Sequence, residues 1–78
     1  MDTQYGDEHY WTTFVEDRKK GCAGFQIHRE CRGLTIIAGQ ILYWDATAKF
    51  CFETFDTDVP VEIVQAAITE AKERINLA

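Results

Sequence analysis

The chain has 78 residues and a net charge of −5, with 46% apolar and 13% aromatic residues. That length suits one hydrophobic core and excludes two, and an apolar and aromatic content this high excludes a disordered chain. No apolar run reaches membrane-spanning length, and the acidic, polar stretch Met1–Tyr10 has neither the basic start nor the apolar core of a secretory leader.

Cys22, Cys31 and Cys51 form an odd set with no Cys-x-x-Cys spacing. Free thiols in a reducing compartment follow from this more simply than a disulfide framework, and the expected location is the cytoplasm.

In chain order, residues 1–8 show no apolar period and hold Gly6 among polar neighbours, so they are expected to form a flexible N-terminal tail before a single domain over 9–78. Residues 9–16 (His-Tyr-Trp-Thr-Thr-Phe-Val-Glu) are rich in aromatic and β-branched types and predict a strand. The polar stretch Asp17–Gly21 is a hairpin connection. From Gly24 to Glu30 the alternation is clean, with Phe25 and Ile27 on one face and Gln26, His28 and Glu30 on the other, the pattern of a half-buried strand. Leu34–Trp44 is apolar on both faces, as a central strand would be, and Gly39 marks a bulge or bend within it.

Asp45–Ala48 then connects to a last strand over Lys49–Phe55. At Asp56–Pro60 the period changes. Capping residue types and a proline suited to a first helical turn precede Ile63, Val64, Ala67, Ile68, Ala71 and Ile75, spaced three and four apart, which predict an amphipathic helix to about Asn76. The expected fold is α+β: a four-stranded antiparallel meander, β-β-β-β-α, with the helix packed on one face.

One helix covers only one face of such a sheet, yet the strands carry bulky apolar residues on both. The reading favoured by this imbalance is a small non-enzymatic protein-interaction domain, with self-association as a homodimer through the face opposite the helix as one form of it. Trp11, Tyr43 and Trp44 are the expected anchors, because desolvated aromatics dominate interface energetics. The alternative is a nucleic-acid or anionic-ligand binder. Between Arg18 and Arg32 five basic residues (Arg18, Lys19, Lys20, Arg29, Arg32) stand against the single acid Glu30. Against it, the chain as a whole repels polyanions.

Two chemical readings rank lower. Cys22, His28, Cys31 and Cys51 are zinc-ligand types, but Cys22 and Cys31 bracket a strand and lie roughly 30 Å apart at strand rise. A thiol enzyme could be assembled from Cys51, His28 and Glu30 or Glu53, but a strand intervenes between the two pairs. No metal or other cofactor is expected, and no membrane association.

Overall fold

The computed structural model describes residues 1–75. Five strands, β1 (Asp2–Tyr5), β2 (Glu8–Asp17), β3 (Cys22–Cys31), β4 (Leu34–Trp44) and β5 (Lys49–Thr54), lie side by side in chain order as one antiparallel sheet, followed by helix α1 (Val61–Arg74). The α+β meander with a C-terminal helix therefore stands, with one correction: there are five strands rather than four. The additional strand lies in the segment expected to be a tail.

Gly6, at φ 63°, opens a two-residue turn that folds Asp2–Tyr5 back onto β2, with Thr3 opposite Tyr10 and Tyr5 opposite Glu8. A positive φ at the first central position alone is the type II′ pattern, whose twist matches that of the strands it joins. A second two-residue turn, Arg32-Gly33, has positive φ at both positions (53° and 82°) and joins β3 to β4. That is the type I′ pattern.

The register sorts the side chains. Tyr10, Thr12 and Phe14 of β2 share a face with Phe25 and Ile27 of β3, Ile41 and Tyr43 of β4, and Phe50 and Phe52 of β5. Helix α1 packs on this face, against β3 and β4. Its buried positions Ile63, Ala67 and Ala71 join Tyr10, Phe25, Ile27 and Ile41 in one core, with Phe50, Phe52, Val59 and Ile68 around it. The two alanines are small, so the helix can approach the aromatic rings closely. Arg74 closes the end of the core, its guanidinium 5.5 Å from the centre of the Phe25 ring.

Pairing between β3 and β4 shifts by one residue beyond Ile27: Ile27 faces Gly39, but His28 faces Ile37. The residue skipped is Ala38, fully buried beside Gly39, so the irregularity falls where the glycine marks it. Pro60 occupies the N-cap of α1 rather than its first turn, and no side chain caps the helix. The Pro60 carbonyl accepts from Ile63 and Val64, at 3.0 and 3.1 Å. Asp56 and Asp58 thus serve the connection, not the cap. Asn76, where the helix was expected to end, lies outside the described residues. No helix among the described residues is long and apolar enough to cross a membrane.

The connection from β5 to α1 is tied down by Arg29. Its Nη1 donates to the Asp58 carbonyl at 3.2 Å, and its Nε lies 3.6 Å from the Glu8 carboxylate. Glu8 in turn accepts from the hydroxyl of buried Tyr10 at 2.9 Å. Burial, together with the neighbouring Glu8 carboxylate, raises the Tyr10 phenol above its ordinary value although Arg29 opposes this. Arg29→Met keeps the stem and removes these bonds; it should destabilise the domain by about 1 kcal/mol, seen as a lower urea midpoint at unchanged slope. An unchanged midpoint would mean that the connection is held without it.

Candidate interaction surface

The opposite face of the sheet receives no helix or strand among the described residues. The register places five cross-strand rows on it: Gln4, His9, Glu30 and Thr35; Asp2, Trp11, His28 and Ile37; Thr13, Gln26, Gln40 and Glu53; Val15, Gly24, Leu42 and Cys51; and Asp17, Cys22, Trp44 and Lys49. Four of these side chains are carboxylates (Asp2, Asp17, Glu30, Glu53) and one is an amine (Lys49). The middle row is polar, apolar side chains (Trp11, Ile37, Val15, Leu42, Trp44) lie in the rows to either side of it, and the carboxylates stand at the margins of the face.

Two neighbourhoods stand out. In the first, Trp11 lies between two imidazoles, His9 at 5.1 Å in a tilted arrangement and His28 at 5.4 Å, nearly parallel at 10°. His9 Nε2 sits 2.6 Å from Asp2 Oδ1, and His28 Nε2 2.8 Å from the Thr13 hydroxyl. Cross-strand stacking on His28 fixes the orientation of the Trp11 ring.

The second neighbourhood is a hollow of about 330 Å³, within the size range of small-ligand sites. Val15, Leu42 and Trp44 supply its apolar walls, Gln26 and Gln40 its amides, and Asp17 and Glu53 its carboxylates, with Glu16 and Lys20 at its edge. Between Val15 and Leu42 the row is occupied by Gly24, which has no side chain. A Cβ there would fall 1.9 Å from the Ile41 carbonyl oxygen, so β3 and β4 approach each other over this residue as only glycine allows.

The expected anchors do not form one patch. Trp11 and Trp44 both lie on the open face, but their partners His28 and Cys22 are six residues apart on β3, roughly 20 Å at strand rise. Tyr43 is on the helix side of the sheet, its ring 5.1 Å from that of Phe50. Strand alternation requires this, since neighbours 43 and 44 point to opposite faces. Sequence reasoning missed Val15, Leu42, Gln26, Gln40 and Glu53 as a group; only their shared parity in the correct register brings them together.

The basic residues are dispersed in the same way. Arg18, Lys19 and Lys20 occupy the turn between β2 and β3, and Arg32 the turn at the other end of β3, roughly 30 Å away at strand rise. Arg29 is engaged beneath the sheet with Glu8 and Asp58, and Arg18 lies 3.2 Å from Glu16. A strand and two hairpin turns separate what is contiguous in sequence.

All three cysteines are free: Cys22 is buried at the hollow, Cys31 half-buried at the far end of β3, and Cys51 exposed on β5. His28 and Glu30 are separated from Cys51 and Glu53 by β4, as the meander requires. No group of three or more potential ligands capable of holding a metal ion occurs among the described residues. No protein-family model, curated protein or solved structure matches the chain.

Proposed function

We propose that the chain is a protein-contact domain whose open sheet face receives a basic, amphipathic segment of another protein. The observation that carries this reading is the hollow beside Trp44. Its aliphatic and aromatic walls suit the stem of an arginine or lysine, and Asp17 and Glu53 stand where the charged head would emerge. Surrounding acids extend the attraction across the face and would steer a basic partner toward it. The same charges make a second copy, placed face to face, the poorer occupant, because like charges would meet. A reducing, cytoplasmic setting accords with the three free thiols.

The test is selection of peptides from a random library on the immobilised protein. Enriched sequences should carry arginine or lysine beside aromatic or aliphatic residues. For the best of them, Trp44→Ala and Glu53→Gln should each weaken binding about tenfold while far-UV circular dichroism stays that of the parent. Binders that keep full affinity for both variants would remove the reading. Binders lost instead on neutralising Arg18, Lys19 and Lys20 would replace it with recognition of an anion at the β2–β3 turn.

A further inference from the structure

The sheet ends at β5, whose outer edge has no strand beside it among the described residues. Helix α1 packs over β3 and β4 and leaves that edge open. Lys49, Cys51, Glu53 and Thr54 are exposed along it. Free edges are normally blunted by a proline, a bulge or several charges. This one, Lys-Phe-Cys-Phe-Glu-Thr, has no proline, pairs regularly with β4, and carries two charges of opposite sign.

Backbone geometry restricts what can join it. The N–H of Phe55 donates to the Ala38 carbonyl at 3.0 Å, continuing the β4–β5 ladder. By alternation Lys49, Cys51 and Glu53 also turn their backbone groups inward, whereas Phe50, Phe52 and Thr54 turn theirs to the free edge. A second copy pairing antiparallel must therefore match even positions with even positions, so its two-fold axis can pass through Phe50, Cys51 or Phe52. An axis through Phe50 sets Lys49 against the partner's Cys51. One through Phe52 sets Lys49 against the partner's Phe55 and Cys51 against the partner's Glu53. Only an axis through Cys51 matches the whole strand: Lys49 meets the partner's Glu53 on the open face, Phe50 meets the partner's Phe52 on the helix side, and Cys51 meets the partner's Cys51. Phe50 and Phe52 then exchange N–H···O bonds with their opposites on both sides of the axis, while the two Cys51 residues form a non-hydrogen-bonded pair with Cα atoms about 4.5 Å apart.

We propose that two copies of this chain associate edge to edge through β5 in this register, fusing their sheets into one of double width. A two-fold contact closes on itself, so the edge is consumed rather than left to recruit further copies. The hollow beside Trp44 borders β5 through Glu53, so the dimer would present two hollows on one continuous surface. Edge pairing does not depend on what the open face binds.

The test is sedimentation equilibrium of the full chain under reducing conditions, from micromolar to millimolar concentration. The parent should dimerise reversibly. Lys49→Glu and Glu53→Lys should each weaken the dimer about tenfold or more, because symmetry repeats the like-charge clash twice, and the double reversal Lys49→Glu/Glu53→Lys should restore it to within about threefold of the parent. A short bis-maleimide should then join parent chains, with the link mapping to Cys51 on both. Val15→Ala, in the wall of the hollow but on β2 and away from the edge, should leave dimerisation unchanged, which separates this contact from the proposed partner site. A chain monomeric throughout, a dimer indifferent to both reversals, or a double reversal that fails to restore association would each overturn the proposal.

Discussion

Replacing Gly24 by alanine should cost the domain about 3 kcal/mol or more, a large part of the ~4 to 12 kcal/mol expected for a chain of this length. The new Cβ would lie 1.9 Å from the Ile41 carbonyl oxygen, 2.8 Å from its carbon and 2.9 Å from the Leu42 Cα. All three are backbone atoms of β4, so no rotamer change relieves the contact. The strands must part, and with them the Val15–Leu42 row and the buried pair Phe25 and Ile41 on the other side of the sheet. Thermal unfolding followed by circular dichroism should show a midpoint lower by about 15 °C or more. A midpoint within about 3 °C of the parent would mean that β3 and β4 separate at Gly24 without disturbing the core.

Gly24 shows where sequence reasoning reaches its limit. As the start of an alternating run it was legible as a strand residue, but nothing in one sequence reveals that a neighbouring backbone passes over it. Elements defined by their own side chains were legible: the alternation of Gln26, Ile27 and His28, the continuous apolar run of Leu34–Trp44, and the three-and-four spacing from Ile63 to Ala71 each dictate a face or a period. Strand β1 was not. Asp-Thr-Gln-Tyr buries little and is too short to show a period; it is a strand because Gly6-Asp7 returns it onto β2, and that glycine-aspartate pair was the available signal.

The surface was legible only as a surplus. That more bulky residues exist than one helix can cover follows from counting; Trp11 and Trp44 lie on the open face, whereas Tyr43, expected beside them, is sent to the other face by strand parity. The basic segment misled for a related reason. Proximity in sequence is proximity in space within a helix or a loop, whereas a ten-residue strand carries Arg18 and Arg32 to opposite ends of the sheet.

Glu70→Gln should destabilise the domain by about 2 to 3 kcal/mol at neutral pH, because one carboxylate joins three parts of the fold. Its Oε2 accepts from the Met1 ammonium and its Oε1 from the Thr12 hydroxyl, with Arg74 Nη1 at 4.0 Å. The side chains of Met1 and Glu70 are 8% and 15% exposed, so water screens their pairing weakly. Helix α1 is thereby fastened to β2 and, through Met1, to the start of β1. Met1 also donates to the Thr12 hydroxyl at 2.9 Å, while Thr12 N–H donates to the Met1 carbonyl at 3.1 Å.

Burial alone would push the Glu70 carboxyl above its ordinary value of 4.5, but hydrogen bonds from the Met1 ammonium and Thr12, with the charges of Met1 and Arg74, outweigh it and hold the group below that value. A carboxyl with a depressed value in the folded state binds its proton less readily there than in the unfolded chain, so its stabilisation is complete above pH 4.5 and is lost as pH falls through the folded-state value. The gap in urea midpoint between parent and Glu70→Gln should therefore be constant from pH 7 to about 5 and narrow steadily below 4.5. Hydrogen exchange should localise the loss, with protection falling most in β1 and the last turn of α1. A gap that persists undiminished at about pH 3 would show that the glutamine is harmful for its shape, and that the charge of Glu70 does not hold the helix to the sheet.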